Sequence, residues 1–271
     1  MASARNAALL GWYRLNRRDL PWRRTTDPWA ILVSEVMLQQ TQAGRVADRY
    51  PAFLIRYPTP AALASTPIAD ALARWDGLGY PRRLVRLRQT AAIVSEHGWP
   101  ESVAGLIRLP GVGRYTAAAV ACFAFGVSLP AIDTNLRRVL SRWNGRALTG
   151  RDLEEAADAA LEVDVASDWN QAVMDLGATI CRPRPACDRC PVAAWCADPA
   201  VRVPVPPQGR FPGSHREARG AVLRALLDGP GDRAGLAVRT GLSTDRVEAA
   251  IQSLLADGLV EPNGSRVALP G

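Results

Sequence analysis

The chain contains no lysine: all 33 of its basic residues are arginines. That absence leaves the N-terminal amine as the only amine for Schiff-base chemistry and excludes the phosphate-gripping lysine of a P-loop. No apolar run approaches the roughly 20 residues that span a bilayer. The opening stretch, MASARNAALLGWYRLNRRDLPW, also lacks the continuous apolar core of a signal peptide. The expectation is a cytoplasmic protein with no membrane partner. Cysteine is sparse, at five residues, and in a reducing compartment these read as ligands or core residues rather than disulfides.

What is present is ordinary for a globular protein. The 271 residues are 48% hydrophobic and 22% charged, which excludes a disordered or fibrous chain. The net charge is +7 with a pI near 9.7, an excess that favours a polyanionic partner, nucleic acid first among them.

From residue 28 to about 130, apolar residues recur at helical spacing in short segments broken by Pro and Gly, among them AILVSEVMLQQTQAGRVADRYPAFL, TPAALAS, ADALARW and YTAAAVACFAFG. No alternating strand pattern occurs there, so the fold class expected is all-α. After Cys196, DPAVRVPVPPQGRFPGS reads as an extended linker. Residues 215–271 then read as three helices, HREARGAVLRALLD, RAGLAVRTG and TDRVEAAIQSLLADG. Ser243 caps the third, and a hairpin turning at Asn263-Gly264 follows. This is the pattern of a winged helix-turn-helix. The module carries seven arginines and seven acids, so the whole basic excess lies in the first 214 residues. DNA contact and an intramolecular or protein-docking role both remain open for it.

Three motifs carry chemistry. In LPGVGRYTAAAV, Gly111 and Gly113 sit one residue apart between helical runs. There the backbone can approach a partner closely, and the next helix presents its N–H groups to a phosphate. A plain interhelical turn would use the same residues. Cys181, Cys187, Cys190 and Cys196 fall within sixteen residues, with Pro183, Pro185 and Pro191 stiffening the loops. Such thiolates suit zinc or a cubane cluster, and the spacing alone does not choose. Cys122, in an alanine-rich helix, reads as core. The third motif is a pair of carboxylates in contrasting settings, of the kind that general acid–base chemistry uses. Glu35, within ILVSEVMLQQ, has apolar neighbours that raise its pKa, and Asp133, in LPAIDTNLRRVL, opens a helix. A surface helix residue and a simple helix cap are the bland readings of the two.

The segment DLPWRRTTDPWAILVSEVMLQQTQ closely resembles the corresponding stretch of adenine DNA glycosylases of the MutY family. GLGYPRR, LPGVGRYTAAAV, DTNLRRVL, NQAVMDLGATIC and CPVAAWC follow in that family's order. The resemblance covers about residues 8 to 198. It implies a helix-hairpin-helix glycosylase domain with an iron–sulfur loop over 1–198, in which a six-helix barrel spans about 28–130. A cluster subdomain would come from 1–27 and 131–198, with 199–214 as linker and 215–271 as the winged-helix-like module. It also implies a [4Fe–4S] cluster on the four cysteines, although the family usually places six residues, not five, between the first two.

By the same resemblance Glu35 would protonate adenine and Asp133 would stabilise the sugar cation. Asn135 would orient Asp133, and Arg23 would support Glu35. Tyr115, at the position of the lyase lysine in endonuclease III, would line the pocket. Gln39, Gln40, Thr41, Tyr80, Gly111, Gly113, Arg114 and Thr116 would contact DNA, with Gln40 wedging into the duplex and Tyr80 intercalating. Pro81 replaces a frequent second tyrosine. The implied protein is a monomer acting on double-stranded DNA with a mismatch or lesion. Its implied activity is to excise adenine opposite 8-oxoguanine or guanine and, lacking lysine, to leave an abasic site without cutting the strand. The family's β-rich, Nudix-like lesion-inspecting domain has no counterpart in the sequence. Two alternatives are a thymine or uracil mismatch glycosylase, against which Gln39-Gln40 argue, and an iron–sulfur DNA-binding regulator.

Overall fold

Side-chain caps set several of the helix starts in the computed structural model, which describes residues 2–204 and 209–270; residues 205–208 of the predicted linker lie outside the described residues. Helices α1 (Ala2–Asn16), α2 (Pro28–Leu38), α3 (Ala43–Arg56), α4 (Pro60–Ala64) and α5 (Ile68–Trp75) come first. Next are α6 (Arg82–His97), α7 (Val103–Ile107), α8 (Arg114–Phe125), α9 (Thr134–Trp143), α10 (Gly150–Ala160) and α11 (Ala166–Thr179). The chain ends with α12 (His215–Leu227), α13 (Arg233–Thr240), α14 (Thr244–Ala256) and a hairpin of β1 (Glu261–Asn263) and β2 (Arg266–Ala268). Thr59, Ser102, Asp133, Ser214 and Asp232 each accept a backbone N–H at the start of a helix. Ser243 stands at the N-cap of α14 as expected, but its side chain makes no capping bond.

The segment read as helical from Ala30 to Leu54 is interrupted between α2 and α3. Gln40 there takes a left-handed backbone conformation, φ 57°. Among the described non-glycine residues only Tyr80, φ 48°, does the same. Such a conformation is costly without glycine and persists only where its surroundings impose it.

The chain forms two compact units. The first comprises Met1–Glu35, Pro100–Arg108 and Val112–Pro206; the second comprises Val36–Trp99, Leu109–Gly111 and Pro207–Gly271. In the first unit α11 packs against α1, α8 and α9. Its core gathers Leu9 and Tyr13 of α1, Ala119 of α8, Leu136 and Leu140 of α9, and Trp169, Val173 and Leu176 of α11. Gly177 lets α9 and α11 meet: a Cβ there would lie 2.6 Å from Cβ of Asn135. Cys122 is buried as read from the sequence.

In the second unit α4 and α5 pack on α6, and Phe53, Tyr57 and Trp75 form edge-to-face ring pairs. Helices α12, α13 and α14 pack on one another, and α12 also packs on α5. The hairpin pairs Glu261 with Ala268 and Asn263 with Arg266, and turns through Gly264. The C-terminal module is thus three helices and a two-stranded wing, held to the helical body of its own unit.

Candidate active site

Glu35 is carried on α2, where Pro28 starts the helix and a run of apolar residues draws it inward. The side chain is 4% exposed. Burial pushes its pKa up to about 7, with the nearby Asp133 charge adding to the rise; a hydrogen bond with Tyr115 and the field of Arg23 pull the other way. Its Oε2 has no hydrogen-bond partner among the described residues. A buried, uncommitted carboxyl oxygen with a near-neutral pKa is suited to handing a proton to an incoming group.

Asp133 caps α9. One oxygen accepts from the Leu136 N–H at 2.7 Å and the other from Asn135 Nδ2 at 2.7 Å. Burial raises its pKa, against the pull of these same bonds. The two carboxyls therefore differ in kind: Asp133 has two strong donors that favour its charge, whereas Glu35 has an unpaired oxygen in an apolar setting. Tyr115, in the first turn of α8, is pushed well above its usual pKa by burial and by the Glu35 and Asp133 charges, so it stays a neutral phenol.

Arg23 comes from the short 3-10 turn Pro21–Arg24. Its guanidinium forks onto Asp175 of α11 at 2.7 and 2.8 Å, and Arg18 adds a backbone N–H and a side-chain bond to the same carboxylate. Burial alone would raise the Asp175 pKa, but the two arginines hold it below the usual carboxylate range. Arg23 thus reaches Glu35 through its field while its own bonds go to Asp175. The sequence reading missed Asp175. The one available signal was a lone acid inside the apolar run NQAVMDLGATIC, 152 residues from its arginine.

Asn135 also links outward. Its Oδ1 accepts from Arg138, whose guanidinium in addition bonds the Gly177 and Cys181 carbonyls at 2.7 Å each. Cys181, Cys187, Cys190 and Cys196 line one cavity of about 70 Å³ within the same unit. No group of three His, Cys, Asp or Glu among the described residues converges closely enough to hold a single metal ion. Buried Arg142 fixes this loop through the carbonyls of Cys181, Arg182 and Pro183 and lies 3.1 Å from Cys181 Sγ. It too escaped the sequence reading.

The sequence-derived DNA-contact residues fall in both units. Gly113 and Arg114 are exposed at the start of α8, where a Cβ on Gly113 would meet open space; Thr116 is buried one turn on. Gly111, in the turn before α8, has φ 78° and needs to be glycine on a second count, since a Cβ would lie 2.8 Å from Arg86 Cβ. Gln39 reaches the Gly111 carbonyl at 3.4 Å, and Thr41 donates to the Leu78 carbonyl at 3.1 Å.

Gln40 and Tyr80 share one anchor. The buried Arg83 guanidinium donates to the carbonyls of Val36, Met37, Gln39, Leu78 and Gly79 and to Thr41 Oγ1. The two strained turns are therefore tied to a single side chain, whose pKa burial lowers to about 10. Arg83 stands in the quoted GLGYPRR but was not singled out, because nothing in the sequence shows that its carbonyl partners converge.

The chain is similar to several known proteins. A family model described as HhH-GPD superfamily base excision DNA repair protein matches residues 33–163. The adenine DNA glycosylase of Mycobacterium tuberculosis (strain ATCC 25618 / H37Rv) is 43% identical over 282 residues, covering 97% of this chain and 92% of the relative. The adenine DNA glycosylase of Homo sapiens is 40% identical over 213 residues, covering 72% of this chain and 39% of the relative. Among solved structures, a thermostable thymine-DNA glycosylase matches with a TM-score of 0.69 and 32% identity over 72% of this chain and 95% of its own. A trapped endonuclease III–DNA covalent intermediate matches with a TM-score of 0.63 at 22% identity, over 72% of this chain and 93% of that one, and supports the fold alone. The chain belongs to the HhH-GPD superfamily of base excision DNA repair proteins, within its adenine DNA glycosylase family.

Proposed function

We propose that the protein is a monofunctional DNA glycosylase that hydrolyses the N-glycosidic bond of adenine mispaired with 8-oxoguanine or guanine in double-stranded DNA. The observation that carries this reading is the pairing of a buried Glu35, with a pKa near 7 and an unpartnered oxygen, with an N-cap Asp133 held by two donors. Glu35, protonated, gives its proton to a ring nitrogen of the departing purine. Asp133, ionised, stabilises the positive sugar as the bond to the base breaks. Water then bonds through its oxygen to the sugar carbon the base has left and gives up one proton, which returns Glu35 to its acid form, leaving free base and an abasic sugar. Tyr115 holds Glu35 in place, Asn135 fixes the carboxylate of Asp133, and Arg23, itself fixed by Asp175, limits the rise of the Glu35 pKa.

Gln39, Gln40, Thr41, Tyr80, Gly111, Gly113, Arg114 and Thr116 serve DNA contact in this reading, with Gln40 and Tyr80 as the wedges. The left-handed backbone at those two residues supports the assignment, since stored strain clusters at functional sites. The glycosylase domain takes residues 1–198, and 215–271 form a winged-helix-like module that follows the linker and packs on α5. Cys181, Cys187, Cys190 and Cys196 line one cavity, and four thiols so gathered supply the donor set a [4Fe–4S] cluster needs. When bound, the cluster would tie the loop into a rigid structural element. About four irons and four sulfides per purified chain is the expected content; zinc at about one per chain would refute it.

The relative at 32% identity is a thymine-DNA glycosylase, which keeps that substrate in play as a second reading. The deciding experiment incubates the protein with duplexes carrying adenine opposite 8-oxoguanine, adenine opposite guanine, and thymine or uracil opposite guanine, then reveals abasic sites with alkali. Adenine release from the first two is expected. Reaction of the pyrimidine mismatches alone would transfer the assignment to the second reading.

A further inference from the structure

The winged-helix-like module is the part of the chain that the proposed chemistry leaves without a task. Its arginines are engaged within the protein. Arg219 pairs with Asp257 at 2.7 Å, Arg246 with Glu217 at 3.1 Å and Arg233 with Glu248, and Arg239 donates to the Ala225 carbonyl at 2.8 Å. Arg216 and Arg224 reach out of the module, to Tyr80 and Asp76. Of its seven arginines only Arg266 is left without a side-chain bond among the described residues. A neutral module with its guanidinium groups so committed has little to offer a phosphate backbone.

What the module reaches instead is one short turn. Between α5 and α6, Gly77, Gly79 and Tyr80 are all left-handed, at φ 84°, 71° and 48°. Glycine adopts that conformation freely. Tyr80 does not, and Pro81 behind it favours extended backbone at residue 80, so the turn needs outside support. From the helical body, Arg83, Trp75 and Thr41 hold the carbonyls of Leu78 and Gly79. The module adds three contacts that span the turn. Arg224 lies 3.7 Å from Asp76 at its start, Arg216 donates to Tyr80 Oη at 2.7 Å, and Asp257, itself held by Arg219, lies 3.3 Å from Arg82 at its end. Arg216 also donates to the Gly209 carbonyl at 2.7 Å, and its guanidinium stands 5.9 Å from the Tyr80 ring centroid. Partly exposed ion pairs are weak singly. Here they act beside the packing of α12 on α5, and contacts that served only to dock the module would have no reason to end on the one strained side chain of the turn.

We propose that the C-terminal module is an intramolecular brace for the Tyr80 turn, with Arg216, Arg224 and Asp257 as positioning residues. The module then works through α12 and the end of α14, and neither a recognition helix nor a wing enters a groove. A side chain ordered before DNA arrives loses less freedom when it is used, so the brace favours the binding-competent state. That benefit rests on the proposed reading of Tyr80 as a wedge, whereas the brace itself does not.

The test is hydrogen exchange on the free, full-length protein, read on the peptide covering 76–84. Its amides include Leu78 on the Trp75 carbonyl and Arg83 on the Tyr80 carbonyl. Arg216→Ala, and Tyr80→Phe, which removes only the accepting hydroxyl, are each expected to speed exchange there about fivefold, the effect of one lost hydrogen bond, with α4 unchanged. The double variant should exchange no faster than either single one, because both remove the same contact. Arg224→Asp should also speed exchange, and adding Asp76→Arg, which restores the pair in reverse, should bring it back. In single-turnover assays Arg216→Ala should raise the duplex concentration for half-maximal rate about fivefold, more than it lowers the saturating rate. If Arg216→Ala compromises folding, Tyr80→Phe carries the test, since it leaves every residue of the module intact. Wild-type exchange across 76–84 in Tyr80→Phe and Arg224→Asp, with native circular dichroism, would overturn the proposal, and so would effects of Arg216→Ala and Tyr80→Phe that add in full. Because exchange is read without DNA, absence of base release from every duplex would sink the glycosylase reading while leaving the brace standing.

Discussion

Two buried acids with opposite pKa shifts give the sharpest consequences at the scale of single residues. Glu35 titrates near 7 in the folded protein against 4.5 for an ordinary glutamate. Base release that needs its protonated form should fall as pH rises through about 7. Glu35→Gln should lower the single-turnover rate by about 10²- to 10⁴-fold. The same shift makes the folded state bind the proton more tightly than the unfolded state. Glu35 therefore removes stability as pH climbs from about 4.5 to 7, by up to about 3 kcal/mol. Glu35→Gln should melt higher than wild type at pH 8 and show little gain at pH 4. Asp175 behaves in reverse. Its lowered pKa contributes stability that is present above the unfolded value, near 3.8, and lost as pH falls through the folded one. Asp175→Asn leaves two arginines facing a neutral amide and should cost about 3–5 kcal/mol in denaturant unfolding. With Arg23 released from its fork, the alkaline limb of the pH–rate profile should also move. A variant with wild-type stability and profile would show that the Arg18–Arg23–Asp175 cluster is not the support described.

Packing between elements sets how Asp133 is held. Helices α9 and α11 approach at Gly177 and Asn135, and Asn135 in turn donates to Asp133. Gly177→Ala should cost about 1–3 kcal/mol through overpacking. It should also slow base release beyond what lost folded protein explains, because Asn135 gives way first; an unchanged rate per folded molecule would remove that link. Such couplings mark the limit of what the sequence tells. Asp133 as a helix cap follows from an acid standing just before TNLRRVL, and the burial of Glu35 follows from its apolar flanks in α2. The interruption at Gln40 does not follow, because LQQTQ continues a helical pattern without glycine or proline. The break is imposed by Arg83, more than forty residues away, drawing the carbonyls at the end of α2 toward itself. Asp175 was hidden for the same reason: a pair separated by 152 residues leaves no local pattern. Ser243 shows the converse, a residue at the right position whose expected capping bond does not form.

For the whole molecule, the most consequential feature is the absence of lysine. Within the first unit the phenol of Tyr115, kept neutral by burial and by two nearby acids, occupies the start of the helix that follows the glycine turn. A phenol so placed can hold a carboxyl group but cannot form an imine with an opened sugar. The only amine in the chain is its N-terminus. Borohydride trapping on a reactive duplex should therefore give no covalent protein–DNA complex. Strand breaks should appear only after alkali or heat, at a rate set by abasic-site chemistry and independent of protein concentration once all base has been released. A borohydride-trapped adduct would place the N-terminal amine in the reaction. Acetylation of that amine, which leaves Glu35 and Asp133 untouched, would then have to abolish the adduct while sparing base release. An adduct formed on an acetylated chain would show that a nucleophile other than an amine of this chain reaches the sugar, and that the enzyme is not purely hydrolytic.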